Sequence, residues 1–133
     1  MPAKVKEVYL THVLETMEER EERSAIVFVS TKRTCELLSE TLIKLDIAVA
    51  ALHSSLKQKQ RLAALQRFKA GVVPILVATD VAARGLDIPT VDLVINHDMP
   101  RSASDYVHRV GRTARASNHG RALSFVTQYV DPH

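Results

Sequence analysis

The sequence predicts a three-layer α/β domain with a mainly parallel sheet, on three observations. Five short apolar runs lack the apolar/polar alternation of a half-exposed strand, the pattern expected of strands covered on both faces. Segments of helical periodicity interleave with these runs, which implies parallel pairing through right-handed crossovers. Cap and stop residues, among them Ser30, Thr31, Gly71, Gly85 and Ser102, stand where one period gives way to the other.

Taken in order, Leu10, Val13, Leu14 and Met17 recur at i, i+3, i+4 and i+7, so residues up to 22 read as a helix leading into the domain, with one buried face. Its acidic end, residues 15–22, reads as a solvated face. Residues 24–29 form the first apolar run, followed by a helix with Cys35, Leu38, Leu42 and Leu45 on one side. Residues 47–52 form the second run, and the next helix carries Leu62, Leu65 and Phe68 before Gly71 closes it. Residues 72–78 make the third strand, with Pro74 near its start, and a short helical turn after Thr79-Asp80 stops at Gly85. Residues 91–96 make the fourth, after which Ser102 and Asp105 have the spacing of a capping box at the start of one more helix. Residues 122–126 supply the fifth.

At 133 residues, with 46% hydrophobic and 25% charged side chains, the chain fits one soluble domain and is too short for two ordinary ones. No apolar run is long enough to cross a bilayer and no membrane partner is expected. The single cysteine, Cys35, on an apolar helix face, is expected in the core and cannot make an internal disulfide, which points to an intracellular protein. None of the six histidines has metal-site spacing, so no metal ligand is assigned. The net charge of +3 is modest, but five arginines between Arg101 and Arg121 suggest one positive surface region.

In open parallel sheets, ligands bind beyond the carboxyl ends of the strands. Three stretches there could carry chemistry. His108-Arg109-Val110-Gly111-Arg112-Thr113-Ala114-Arg115 spaces three arginines by threes, and a guanidinium is a permanently charged, bidentate phosphate ligand. Ala78-Thr79-Asp80 through Arg84-Gly85-Leu86-Asp87 combines a hydroxyl, two carboxylates and a glycine that admits a ligand close to the backbone. Its plainer reading is a cap and a helix stop. Ser55 and Gln58 have capping-box spacing, so Gln58 could simply close a helix start, while Arg61 one turn on faces the same way and could extend a phosphate-binding helix end.

Together with Ile26-Val27-Phe28-Val29-Ser30-Thr31, these stretches stand in the order found in the C-terminal RecA-like half of DEAD-box ATP-dependent RNA helicases, which the chain resembles over essentially its whole length. The resemblance implies an ATPase coupled to RNA unwinding, with ATP and Mg²⁺ as cofactors and single-stranded or duplex RNA as partner. It implies that Arg112 and Arg115 are arginine fingers, that Asp87 meets the ATP ribose, and that Gly85, Arg109 and His108 lie at the nucleotide or the partner half. Thr79, Gln58, Arg61 and Thr31 would hold RNA phosphates, with Phe28, Asp80 and Arg84 supporting the motifs. Motifs of the family's N-terminal half are missing. The chain is therefore expected to be a single domain, 1–133, that completes an active site formed with that half, is inactive alone, and is a monomer. Ser54 and Ala114 depart from glycine in the common pattern; this resembles a subgroup of nucleolar ribosome-assembly helicases. The reading from another class is a non-catalytic RNA- or protein-binding module, and physics alone does not separate RNA from DNA.

Overall fold

The computed structural model describes residues 3–112 and 120–125. Five strands, β1 (Ala25–Val29), β2 (Val49–Leu52), β3 (Ile75–Thr79), β4 (Leu93–Asn96) and β5 (Arg121–Ser124), form one sheet in the order β2-β3-β1-β4-β5. Every pairing is parallel. β1, β3 and β4 are buried at every position, which explains their unbroken apolar runs. β5, at the sheet edge, alternates between half-buried and exposed residues.

Successive residues of β1 serve opposite faces. Val27 and Val29 join Leu10, Val13, Leu14 and Met17 of helix α1 (Ala3–Glu15) and its continuation, and Cys35, Leu38 and Leu42 of α2 (Lys32–Lys44). Ile26 and Phe28 join Leu65 and Phe68 of α3 (Gln58–Lys69) and Ala82 and Ala83 of α4 (Asp80–Ala83). Helix α5 (Ala103–Val110) follows β4. The result is the three-layer RecA-like arrangement expected. Cys35 is fully buried, with Sγ 3.3 Å from the carbonyl oxygen of Val77, and burial pushes its thiol pKa up to about 11.

Several details differ from expectation. The first helix ends at Glu15, and residues 18–20 form a 3-10 turn. Leu45 is 49% exposed, because α2 ends at Lys44 and Ile47 takes the core position beyond it; Leu62 is 48% exposed on the outer side of α3. The start of α3 is capped two residues later than the Ser55/Gln58 spacing implied: Gln60 Oε1 accepts from the Lys57 amide at 2.9 Å. The acidic run is not wholly solvated, since the Glu22 carboxylate is buried between Arg20 Nε at 2.7 Å and Arg121 Nε at 3.0 Å. That pairing and the Asp80 pair of the buried Arg109 engage two of the five arginines between Arg101 and Arg121 in ion pairs.

Candidate functional site

The carboxyl ends of the three central strands are level with one another: Val29 aligns with Thr79, and Phe28 with Asn96. The Thr79 hydroxyl oxygen, at the last position of β3, accepts from the Ala82 amide and starts α4. Asp80 is thereby the first helical residue, with its carboxylate directed at α5. Gly85 follows α4 at φ +74, a conformation that costs other residues about 1–2 kcal/mol. The chain then turns so that Asp87 stands outward, its carboxylate almost wholly exposed and 3.3 Å from Lys69 Nζ.

Arg109 is the best-anchored side chain of the site. Its Nε and Nη2 donate to Asp80 Oδ1 and Oδ2 at 2.8 and 2.6 Å, and Nη1 donates to the Asp98 carbonyl at 2.6 Å and to Asn96 Oδ1 at 3.4 Å. The guanidinium carbon lies 5.2 Å from the centre of the Phe28 ring, within cation–π range. Its side chain is almost wholly buried, at 1% exposure. The bidentate Asp80 pair draws Arg109 inward, so that it holds the end of α5 against the ends of β3 and β4. Asn96 and Asp98 were passed over in the sequence. Their signal is polar residues closing an apolar strand, and Asp98 also accepts from the Ser30 amide at 2.8 Å and Lys6 Nζ at 3.3 Å.

One turn further on, the half-buried Arg112 donates Nη1 to the Ile88 carbonyl at 3.4 Å, while its own carbonyl accepts from Val91. Arg84 Nη2 bonds Asp105 Oδ1 at 2.8 Å, and this bond holds the Asp105 carboxyl below the usual carboxylate range. Asp105 also donates its amide to the Ser102 hydroxyl, so half of the anticipated capping box forms. A cleft of about 200 Å³ opens above Phe28, with Asp80, Arg84 and Gly85 on one side and His108, Arg109 and Arg112 on the other. His108 is exposed at its edge. Arg115 and Ala114 lie outside the described residues.

The remaining candidates lie nearby but are partly occupied. The Thr31 hydroxyl oxygen accepts from the Thr34 amide at 3.1 Å and caps α2. Gln58 is exposed and accepts from Arg61 Nη1 at 3.2 Å, while Arg61 Nη2 donates to the Ala82 carbonyl at 2.8 Å, tying α3 to α4. A cleft of this size is smaller than the roughly 300–1,000 Å³ that enclose a small ligand. Among the described residues no three His, Cys, Asp or Glu side chains converge as a metal site.

The profile of the helicase conserved C-terminal domain matches residues 5–117. The chain belongs to that family. DEAD-box ATP-dependent RNA helicase 36 of Arabidopsis thaliana is 60% identical over 123 residues, which cover 92% of this chain and 25% of that protein. Probable ATP-dependent RNA helicase DDX49 of Homo sapiens is 52% identical over 130 residues, covering 97% and 27%. The solved structure of Dbp5 of S. cerevisiae bound to RNA and ADP BeF3 superposes with a TM-score of 0.80 at 37% identity, over 93% of this chain and 32% of that one. The chain is thus a C-terminal RecA-like domain of the DEAD-box type, and it spans about a quarter of the length of these curated relatives.

Proposed function

We propose that this domain is the second half of an ATP-dependent RNA helicase, completing an ATP site with arginine fingers and holding the backbone of single-stranded RNA. The observation that carries the reading is the placement of Arg112 at a cleft too small to be a whole site, in a chain of this family. Arg112 and Arg115 supply N–H donors to charge developing on the γ-phosphoryl oxygens, Asp87 accepts from the ribose hydroxyls, and the turn at Gly85 brings backbone close to the nucleotide. His108, exposed at the cleft edge, faces the other half. Mg²⁺, which would neutralise phosphate charge, would be held mainly by the N-terminal half. Phe28, Asp80 and Arg109 set the start of the turn that carries Arg112. The exposed side chains of Thr31 and Gln58, with Arg61 and the Thr79 hydroxyl, meet RNA phosphates.

Two relatives carry RNA helicase in their names, and the structure of Dbp5, of similar fold, holds RNA and ADP BeF3; these support RNA over DNA. The domain acts as a monomer within one longer chain. A role in nucleolar ribosome assembly rests on Ser54 and Ala114 alone and is tested by co-sedimentation with ribosome precursors.

The deciding experiment joins the domain to its N-terminal RecA-like half and measures RNA-stimulated ATP hydrolysis. An arginine finger contributes roughly 10³–10⁵ in rate, so Arg112→Ala and Arg115→Ala should each depress kcat by that order with less change in ATP affinity. Unchanged turnover in both variants, or Arg112-dependent turnover by the domain alone, would overturn the proposal in favour of a binding module.

A further inference from the structure

At the opposite end of the sheet, where the strands begin, the surface holds a larger hollow of about 1200 Å³. Its floor is core: Leu14, Met17, Ile47 and Ile75 are buried beneath it. One wall is apolar and open to solvent, made by Leu45, Ala48 and Pro74. The rim carries four exposed carboxylates, Glu15, Glu18, Glu21 and Asp46, none of which has an ion-pair partner among the described residues. The other two acids of the hollow are occupied: Glu22 by Arg20 and Arg121, and Asp92 by the Arg23 amide at 2.7 Å. Among the described residues, Arg23 is the only basic one lining it.

This concentration of unpaired negative charge belongs to a chain whose net charge is +3. It repels nucleic acid, so RNA is not its occupant. The hollow is larger than the roughly 300–1,000 Å³ typical of small-molecule sites, and an exposed leucine beside open carboxylates matches a side-chain pair of opposite character: one apolar, one cationic. We propose that this hollow is a docking site for an extended, Lys/Arg-rich segment of a protein partner, with an apolar side chain set against Leu45 and Pro74 and cationic side chains on Glu15, Glu18, Glu21 and Asp46. The four- and five-residue strands, at about 3.3 Å per residue, put roughly 15 Å between this site and the strand ends that carry Thr79 and Asn96. A bound segment therefore leaves the nucleotide face free. The inference does not depend on the ATPase reading.

The test uses the 133-residue chain and a short fluorescein-labelled peptide of Lys and Arg with two spaced Leu, followed by anisotropy and by amide chemical-shift mapping. Binding is expected with shifts at Leu45, Asp46 and Glu18. Glu15→Gln, Glu18→Gln and Asp46→Asn together should weaken it about tenfold, since each exposed ion pair contributes modestly and three are lost; Asn tolerates the left-handed φ of +62 at position 46. Leu45→Ser should weaken it several-fold, as should replacing the peptide's Leu by Ser, whereas Glu40→Gln, an exposed acid on α2, should not. Circular dichroism checks that each variant is folded. Shifts confined to the carboxyl-end face, equal affinity for the triple variant, or equal affinity for the Ser peptide would overturn the proposal. So would self-association in sedimentation that the triple variant abolishes, since the occupant would then be a second copy.

Discussion

Replacing Asp80 by alanine leaves the Arg109 guanidinium, 1% exposed, without the carboxylate that takes two of its N–H groups at 2.6 and 2.8 Å. The remaining acceptors, the Asp98 carbonyl and Asn96 Oδ1, carry no charge. Removing one partner of a buried pair costs about 3–5 kcal/mol, because the other charge stays desolvated; a surface pair would cost less than about 1 kcal/mol. In a domain whose whole stability is about 5–15 kcal/mol, Asp80→Ala should lower the thermal midpoint by roughly 10–20 °C, with the slope of a urea titration unchanged. Asp80→Leu combined with Arg109→Met removes both charges and keeps the volume, so it should recover most of the loss, as replacements of buried pairs by apolar groups commonly do. A loss under about 1 kcal/mol for Asp80→Ala, or no recovery in the double variant, would refute the claim that a desolvated charge anchors the site.

Other changes test separate parts of the structure. Gly85→Ala should cost about 1–2 kcal/mol through backbone strain alone, because a Cβ there meets nothing within 4 Å; Gly85→Asn should cost less, and a neutral Gly85→Ala in urea titration would contradict the left-handed turn. The Cys35 thiol, raised to about 11, should resist disulfide reagents at pH 8 until the domain unfolds. Since the unfolded thiol ionises first, stability should fall as pH rises above about 9, and Cys35→Ala should lack that decline when unfolding is followed against pH. Burial lowers the pKa of His97, whose Nδ1 is buried without a partner. The unfolded chain then binds a proton that the folded one refuses, so stability should drop as pH falls below about 6.5; a His97→Gln variant with the same acid profile would show that another group is responsible.

The strands and their order of use were legible because burial on both faces leaves an unbroken apolar run, and the caps at Thr31, Thr79 and Ser102 because a hydroxyl before a helix has few other uses. Leu45 and Leu62 misled because periodicity names a face without saying where the helix ends or what covers it. Arg109 shows the deeper limit. In the sequence it is one arginine among several, and its inward turn depends on Asp80, Asn96 and Asp98, which the ends of β3 and β4 and the loop after β4 deliver. Glu22 likewise looked like part of a solvated run until Arg121, 99 positions away, closed on it. Charge pairing across such distances leaves no local pattern.

Phe28 gives the sheet a means of detecting its own errors. It sits opposite Ala78 and Asn96, its carbonyl takes the amides of His97 and Asp98, and its ring supports Arg109. A slip of β1 by one residue would turn the ring to the other face and put a valine under the guanidinium. The arginine would lose its seat together with the strand register. The register of β1 and the seat of Arg109 are therefore set together.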